Sequence, residues 1–451
     1  MNTKRSSFSG KLGFVLAAAG SAVGLGNLWR FPYLAAQYGG GIFILIYLIL
    51  AVTFGFSLLA LEIAIGRKTK KSSIESYKML HNKFGFLGYL SALIPIIIMP
   101  YYSVIGGWVI KYMLVFFTGE GSAAADAGYF GGFVSKAISP LLMFVIFITL
   151  TAIVVLAGVQ KGVERVSKVM MPVLIVLTIV ISIYVMTIPN AMEGVKYYLL
   201  PDFSKFSFKT VCAAMGQLFY SMSIAMGIMI TYGSYVKDDV NLTQSVNHIE
   251  IFDTAVALLS GLMIIPAVYV FSGEEGLKTG GAGLMFKTLP RVFNDMPLGN
   301  AIGAIFFVLV FFAAITSSIS LYETITSIFM DRFKLSRTVS VAFIYVVTIL
   351  LGIPSSLGHG LWAHITVLGM DFLTFFDYIS NSVMMPILAI GTCVLVGWFT
   401  KTKMFEDEIT KNGEKFRRAP IFRVMIKYIA PVLLLTILVF YSLVQFGFIS
   451  Y

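Results

Sequence analysis

The sequence predicts an all-α membrane protein with many transmembrane helices, and its composition gives the first support for this fold class. Of the 451 residues, 58% are hydrophobic and only 12% are charged, and the mean hydropathy is +0.88. A soluble domain carries about 25% charged residues, so this chain has too little polar surface to cover a water-soluble globule. Composition thus excludes a cytosolic enzyme, a secreted domain and a disordered protein.

Eleven apolar segments give the second support, because each is long enough to cross about 30 Å of hydrocarbon. Lipid offers the backbone no hydrogen-bond partners, so each segment must be a helix. The predicted spans, numbered 1 to 11 in chain order, are 12–37, 41–66, 86–117, 138–157, 163–187, 211–235, 247–272, 299–330, 337–353, 371–399 and 421–445. We expect residues 1–451 to form a single domain built from these helices.

The distribution of basic residues predicts the orientation, because lysine and arginine accumulate in cytoplasmic loops. With the N-terminus in the cytoplasm, all but nine of the 33 basic residues lie on the cytoplasmic side. The nine exceptions are Arg30, Lys111, Lys136, Lys196, Lys205, Lys209, Lys278, Lys287 and Arg291. An odd number of spans then places the C-terminus outside the cell. The net charge of +11 is therefore a topology signal, and we expect no nucleic-acid partner.

Two spans differ from ordinary apolar helices. Span 1 has three glycines between Gly20 and Gly26, followed by Asn27, and span 6 carries hydroxyls and small residues from Gln217 to Gly227. Glycine weakens a helix, and Asn27 needs polar partners in lipid. Close helix packing is one reason for small residues in a membrane. However, interrupted spans at matching places in two halves of a chain point to a transporter site.

The positions of these breaks predict an internal repeat. Span 1 opens a first group of five helices, residues 12–187, and span 6 opens a second, residues 211–399; the helix at 421–445 is additional. Because five is odd, the second group would be inverted relative to the first. Unwound segments offer N–H groups that attract a carboxylate and carbonyls that suit a hard cation such as Na⁺. The breaks therefore predict adjacent sites for a zwitterion and a metal ion.

The segment Gly20-Ser-Ala-Val-Gly-Leu-Gly-Asn-Leu-Trp-Arg-Phe-Pro32 resembles the first-helix motif of the neurotransmitter:sodium symporters, of which LeuT is a bacterial member. Further stretches match in order, namely Gly39–Gly41, Pro100–Tyr102, Gly158–Arg165, Gly216–Ser223, Thr231–Tyr235 and Ala313–Ser318. The resemblance implies a LeuT-like fold of five plus five inverted helices and an eleventh. It also implies that helices 1 and 6 are unwound at mid-membrane.

The resemblance implies two sodium sites. The first would use Ala22, Asn27, Ser221 and Asp253 with the substrate carboxylate, and the second would use Gly20, Val23, Ala313, Thr316 and Ser317. Such oxygen ligands suit Na⁺, although the hydroxyls of Thr316 and Ser317 also suit bonds to their own helix. Animal members use a chloride ion near the first site. Because Asp253 would supply that negative charge, we expect chloride-independent transport, unless Asp253 is merely solvated at the cytoplasmic end of its span.

The resemblance also implies the substrate class. Gly24 stands where monoamine carriers of the family place an aspartate for the ligand amine, so the ligand here would bring its own carboxylate, as an α-amino acid does. The implied substrate-binding residues are Ser21, Ala22, Leu25, Gly26, Ile98, Tyr102, Tyr220, Ser221, Ser223, Met226, Ser317 and Leu321. The side-chain pocket would be apolar, which disfavours charged ligands, and flexible Met226 suits a range of hydrophobic side chains.

Two gates follow from the same resemblance. The outer gate would use Arg30, Asp377 and Gln217, and the inner gate Arg5, Asp331, Ser234 and Tyr235, with Phe8 in place of the usual tryptophan. Gly162 and Pro172 match a pattern that lets the cytoplasmic start of span 5 unwind; a static kink is the alternative.

Together these features predict a sodium-coupled symporter of the plasma membrane that imports neutral, hydrophobic L-amino acids by alternating access and is not an enzyme. Its partners would be the amino acid, Na⁺ and the lipid bilayer. The preferred amino acid and the oligomeric state stay open at this point. So do three alternatives: a channel, a proton-coupled carrier in which Asp253 titrates, and a non-transporting amino-acid sensor of the same fold.

Overall fold

The computed structural model describes residues 6–277 and 280–448. Within these ranges the protein is helical, with two isolated bridges and no named strand, as the composition predicts. In the described part of the chain, nine helices are long and apolar enough to cross a membrane: Gly41–Thr69, Asn82–Phe117, Ile138–Leu156, Val159–Met186, Leu242–Gly273, Gly299–Phe333, Arg337–Leu357, Phe372–Thr400 and Ala419–Gln445. They correspond to predicted spans 2–5 and 7–11.

Span 1 is a bent pair of helices, Lys11–Ala22 and Gly26–Gln37, whose axes differ by 50°. Span 6 is divided into Phe208–Ser221 and Ile228–Tyr235. Each half of span 6 is too short to cross a membrane alone, so the number of eleven crossings stays a prediction. The breaks themselves fall where the glycines and hydroxyls of the sequence place them.

Both breaks have unusual backbone geometry. In span 1, Val23 is extended, with φ −75° and ψ 91°, before the helix resumes in a π-helical turn at Gly26–Arg30. In span 6, Ser223, Ala225 and Gly227 have φ values of 53°, 58° and 71°. Glycine adopts this left-handed region freely, whereas for serine and alanine it costs about 1–3 kcal/mol each. The surrounding structure must therefore hold this loop in place.

Helix packing brings the two breaks together. The first half of span 1 packs against spans 5, 7 and 8, and the second half of span 6 packs against span 2. The Oγ atoms of Ser21 and Ser223, one from each broken span, lie 3.0 Å apart. Peptide groups freed from both helices therefore face one shared space inside the bundle.

Candidate functional site

A cavity lies between the two breaks. Every residue predicted to bind substrate lines it, and Gly24 and Ile228 complete the lining. The walls come from spans 1, 3, 6 and 8, which are far apart in the sequence. The fold thus brings residues that are scattered along the sequence together in one pocket.

The polar end of the pocket is formed by peptide groups and one tyrosine. Tyr102 is buried, and its hydroxyl lies within hydrogen-bonding reach of the Leu25 amide and the Ser317 side chain. A phenolic hydroxyl can both donate and accept a hydrogen bond, so this part of the pocket offers a donor to an anionic group.

Gly24 determines how much room this polar end has. A Cβ atom added there would lie 2.6 Å from Ser317 Oγ and 3.4 Å from the Tyr102 hydroxyl oxygen. Any side chain at this position would therefore fill the space beside the polar groups. Glycine keeps that space available for a ligand.

Apolar side chains form another part of the pocket wall. Ile98, Met226, Ile228 and Leu321 line it and are all buried. No charged side chain lines this cavity among the residues that the structure describes. The pocket can therefore solvate a hydrophobic side chain but offers no counter-charge to an acidic or basic one.

Asp253 forms the centre of a buried hydrogen-bonded cluster below the pocket. Its carboxylate accepts hydrogen bonds from Asn27 Nδ2 at 2.8 Å, the Tyr47 hydroxyl at 3.1 Å and Ser221 Oγ at 3.3 Å. The exposure of Asp253 is 0%. The alternative that Asp253 is solvated at the end of its span is therefore wrong. Three residues of the predicted first sodium site thus meet directly, with Ala22 in the adjoining pocket wall.

The predicted second sodium site joins spans 1 and 8. Ser317 Oγ donates to the Ser21 carbonyl at 3.0 Å and is 3.5 Å from the Gly20 carbonyl. Thr316 Oγ1 instead donates to its own helix, at 2.9 Å from the Phe312 carbonyl and 3.2 Å from that of Ala313. Both hydroxyls are buried beside span 1, so hard oxygen donors of the kind that Na⁺ prefers are concentrated here.

The model of the sodium:neurotransmitter symporter family matches residues 5–124 and 135–451 of the chain. The chain belongs to this family. Members of the family are transporters, and their use of sodium extends to this protein.

Individual relatives cover almost the whole chain. An uncharacterized sodium-dependent transporter of Bacillus subtilis, YhdH, is 33% identical over 98% of this chain and 98% of its own length. A second uncharacterized sodium-dependent transporter, from Haemophilus influenzae, is 31% identical over 98% of each chain. The crystal structure of MhsT in complex with L-phenylalanine superposes with a TM-score of 0.88 at 34% identity, covering 97% of this chain and 99% of MhsT. The LeuT-like fold of the family is thereby confirmed.

On one side, the pocket adjoins a larger cavity of about 410 Å³, and Leu25, Tyr102 and Tyr220 line both. Arg30 and Asp377 both line that cavity, and the Arg30 guanidinium carbon lies 5.3 Å from the centre of the Tyr220 ring. Gln217 Nε2 donates to the Gly26 carbonyl at 2.9 Å, across the two broken spans. Two of the three residues thus line the adjoining cavity and the third links the two broken spans, and their role as a gate stays a prediction.

On the other side, aromatic residues close the bundle. Phe8 is 1% exposed, and its ring packs edge-on against Tyr232 and Tyr235 at centroid distances of 5.6 and 6.0 Å. The Phe8 amide donates to the Tyr235 carbonyl at 3.1 Å. Phe8 therefore makes aromatic contacts at the position where the family usually carries tryptophan, and its role in a gate stays a prediction.

The other inner-gate predictions fall in several places. Asp331 Oδ2 accepts from the Ser72 amide at 2.7 Å, Ser234 Oγ donates to the Thr231 carbonyl at 2.5 Å, and the Tyr235 hydroxyl donates to Glu323 at 2.7 Å. Arg5 lies outside the described residues. The gate role of these residues therefore stays a prediction.

The start of span 5 has the irregular helix that its glycine and proline predict. Residues Val159–Glu164 form a π-helical segment, and Pro172 lies inside the following helix. A Cβ atom on Gly162 would come within 1.9 Å of the Val154 carbonyl oxygen. Glycine is therefore needed at this position for the π-helical conformation of the segment. Whether the segment unwinds stays a prediction.

Three buried polar groups near the site were missed in the sequence. Tyr47 completes the Asp253 cluster, Glu62 accepts a hydrogen bond from the Ala225 amide in the span 6 break, and Glu323 forms a two-pronged ion pair with Arg337 at 2.6 and 2.8 Å. The rule that singled out Asp253, an ionisable group within an apolar span, also applies to Glu62 and Glu323. Both glutamates could therefore have been identified in the sequence as ionisable residues within apolar spans.

Ion pairs fix the loop that follows span 6. Asp238 lies between the ammonium groups of Lys70 at 2.8 Å and Lys411 at 3.0 Å. These two lysines lower the pKa of the Asp238 carboxyl to about 2. The bridge therefore persists throughout the neutral range.

Proposed function

We propose that this protein is a sodium-coupled symporter that imports neutral, hydrophobic L-amino acids by alternating access, without a need for chloride. The observation that carries the proposal is the pocket between the two helix breaks, whose lining combines peptide groups and hydroxyls with apolar side chains. That arrangement matches an α-amino acid with a hydrophobic side chain.

The polar end supports recognition of a zwitterion. The Leu25 and Gly26 amides and the Tyr102 hydroxyl would bind the carboxylate, beside the first sodium ion. Carbonyl groups of Ala22 and Tyr220 with the Ser223 side chain would hold the ammonium group. Hydrogen bonds of this charge-assisted kind are short and strong in a dry site, so a ligand without a carboxylate would bind much more weakly.

The apolar end supports the choice of side chain. Ile98, Met226, Ile228 and Leu321 would lose no hydrogen bonds on contact with an aliphatic or aromatic group. Methionine adapts its shape to the ligand. MhsT, to which this chain is similar, was crystallised with L-phenylalanine, which makes aromatic amino acids the first substrates to test.

Asp253 supports chloride independence. Asn27, Tyr47 and Ser221 direct three donors at its buried carboxylate. A fixed negative charge held there would balance the first sodium ion without a mobile anion. The second sodium ion would take carbonyls of Gly20, Val23 and Ala313 with the hydroxyls of Thr316 and Ser317.

The transport cycle would use the two five-helix repeats, 12–187 and 211–399, with the helix at 421–445 outside them. Spans 1, 2, 6 and 7 would rock against the remaining helices, so that the Arg30–Asp377 side and the Phe8 side open in turn. The N-terminus would lie in the cytoplasm and the C-terminus outside, in the plasma membrane. Downhill sodium entry would drive uptake of the amino acid.

Uptake into proteoliposomes tests the proposal. Labelled L-phenylalanine, L-leucine, L-lysine and L-glutamate would be compared with an inward gradient of sodium or of choline, each as chloride and as gluconate. We expect concentrative uptake of the first two amino acids with either sodium salt, and background uptake with choline. Equal uptake with choline, or preferred uptake of lysine or glutamate, would overturn the proposal.

A pair of asparagine variants controls for general damage to the protein. Asn27→Ala removes a residue of the Asp253 cluster and should abolish sodium-dependent uptake. Asn294→Ala changes an exposed asparagine outside the site and should leave uptake at the wild-type level.

A further inference from the structure

Glu62 is a buried carboxyl group that the proposed transport mechanism does not use. It lies in span 2, is 3% exposed, and its Oε1 accepts a hydrogen bond from the Ala225 amide at 2.7 Å. Its second oxygen, Oε2, has no hydrogen-bond partner among the described residues. Within the described residues, the Ala225 N–H is therefore the one hydrogen-bond partner of the Glu62 carboxyl group.

The surroundings of Glu62 contain no compensating charge. Within the described part of the chain, Glu62 is in no ion pair, and its one hydrogen bond is to a neutral peptide N–H. The titratable groups near it are Tyr77 from the short helix Ser73–Leu80 and Cys393 from span 10. Tyr77 is engaged with Thr392 Oγ1 at 2.6 Å, and Cys393 is a free, fully buried thiol. Neither group supplies a positive charge.

An ionised carboxylate in this environment is strongly disfavoured, because burial removes its hydration and nothing replaces it. A neutral carboxylic acid suits the geometry better. Its carbonyl oxygen accepts the Ala225 N–H, and its hydroxyl has donor capacity to spare. We therefore propose that Glu62 is a proton-binding site, occupied while the substrate pocket is closed and distinct from the Asp253 cluster.

Two buried serines supply a polar neighbourhood under the same loop. Ser73 Oγ and Ser91 Oγ have no hydrogen-bond partners within the described residues. A Cβ atom on Gly227 would lie 2.7 Å from Ser91 Oγ and 3.4 Å from Ser73 Oγ. The span 6 break extends from Ser221 to Ile228. Beneath it lie three polar side chains with an atom that has no hydrogen-bond partner within the described residues: Glu62 of span 2, Ser73 of the helix Ser73–Leu80 and Ser91 of span 3. Buried polar groups of this kind can be bridged by water.

The loop that Glu62 holds also shapes the substrate pocket. Ala225 has a left-handed φ of 58°, and its neighbours Ser223 and Met226 line the pocket. Any opening of the pocket that moves this loop breaks the Ala225 bond and admits water to Glu62. The group can then release its proton to water and become a hydrated carboxylate. Occupancy of the proton site and closure of the pocket are therefore linked, and linkage acts in both directions.

The linkage fixes the sign of a pH effect. Closure takes up one proton whenever the open state is ionised at Glu62, so raising the pH favours the open state. At one proton per closure, the apparent dissociation constant of the amino acid should rise up to tenfold for each pH unit between the pKa of Glu62 in the hydrated, open state and its pKa in the closed state, and should level off above the latter. The proton travels with the conformational change and needs no oxidant, reductant or other reactant.

Infrared difference spectroscopy of the reconstituted protein tests the site directly, and it does not depend on the identity of the transported substrate. The sodium-bound, closed protein should have a carbonyl band of a protonated carboxylic acid that shifts in D₂O. Glu62→Gln, which keeps the acceptor for the Ala225 amide, should lack this band. Glu75→Gln, at a partly exposed glutamate paired with Arg332, should retain it.

Binding of L-phenylalanine across pH 6 to 9 at saturating sodium is the second measurement, and it tests the coupling to the pocket. We expect a pH-dependent affinity for the wild type and for Glu75→Gln, and a flat profile for Glu62→Gln. A carboxylate band in place of the acid band, as a sodium ion at Glu62 would give, would overturn the proposal. So would a pH slope that survives in Glu62→Gln. If no amino acid binds at all, the proposed function fails, while the infrared band still decides the proton site.

Discussion

Replacing Asp253 by serine removes the fixed negative charge from the predicted first sodium site. The carboxylate is fully buried and receives three hydrogen bonds, so its loss leaves the Asn27 amide, the Tyr47 hydroxyl and the Ser221 hydroxyl around an empty space. We expect Asp253→Ser to make uptake depend on chloride, because these three donors would then bind a small anion in place of the carboxylate.

The magnitude follows from electrostatics. Two opposite unit charges about 4 Å apart attract by roughly 4 kcal/mol at an effective dielectric constant of about 20. The serine hydroxyl and water would replace part of this attraction, so the net loss of sodium-binding free energy should be about 2–3 kcal/mol. Since about 1.4 kcal/mol corresponds to a factor of ten, the apparent sodium dissociation constant should rise roughly 30- to 150-fold in gluconate and should recover substantially in chloride.

The assay is initial uptake of L-phenylalanine into proteoliposomes over a range of sodium concentrations, in chloride and in gluconate. The control is Glu250→Gln, which removes another buried carboxylate from span 7 but one paired with Arg418 at 2.8 Å, outside the cluster. This control should stay independent of chloride. An Asp253→Ser protein with the wild-type sodium dependence in gluconate would refute the assigned role of Asp253.

Three further substitutions test the pocket. Gly24→Ala should weaken amino-acid binding at least tenfold, because its Cβ would lie 2.6 Å from Ser317 Oγ in the space for the ligand; equilibrium binding measures this. Tyr102→Phe should weaken binding about 10- to 100-fold, as expected for loss of a hydrogen bond to a charged group, and competition by amino-acid methyl esters should change little. Thr316→Val should raise the sodium concentration for half-maximal uptake severalfold, with a small effect on amino-acid affinity at saturating sodium, because it removes one predicted ligand of the second ion.

Matched variants accompany these tests. Gly131→Ala adds a methyl group where nothing lies within 4 Å, Tyr112→Phe removes a hydroxyl that donates to the Phe286 carbonyl away from the pocket, and Thr324→Val changes another back-bonded threonine of span 8. All three should bind and transport at the wild-type level. Equal effects in a test variant and its partner would mean that the loss reflects protein stability rather than ligand recognition.

The helices themselves were predictable because membrane segments follow from local sequence. A run of apolar residues must form a helix in lipid, whatever its neighbours are, and the observed helices lie close to the predicted ranges. The break in span 1 was equally local, because glycine spacing between Gly20 and Gly26 weakens a helix by itself. In span 6, by contrast, Ser223 and Ala225 adopt left-handed conformations that their residue types do not favour.

By itself, the sequence determined the membrane fold, the positions of the breaks and, through the first-helix motif, the family and its candidate ligands. Only the tertiary structure decided which polar groups meet. Asp253 is enclosed by Asn27, Tyr47 and Ser221, and Glu62 is left with the Ala225 amide and an oxygen that has no partner within the described residues. The physical reason is that helix formation depends on near neighbours in the chain, whereas the environment of a buried charge depends on residues that packing brings together from distant spans.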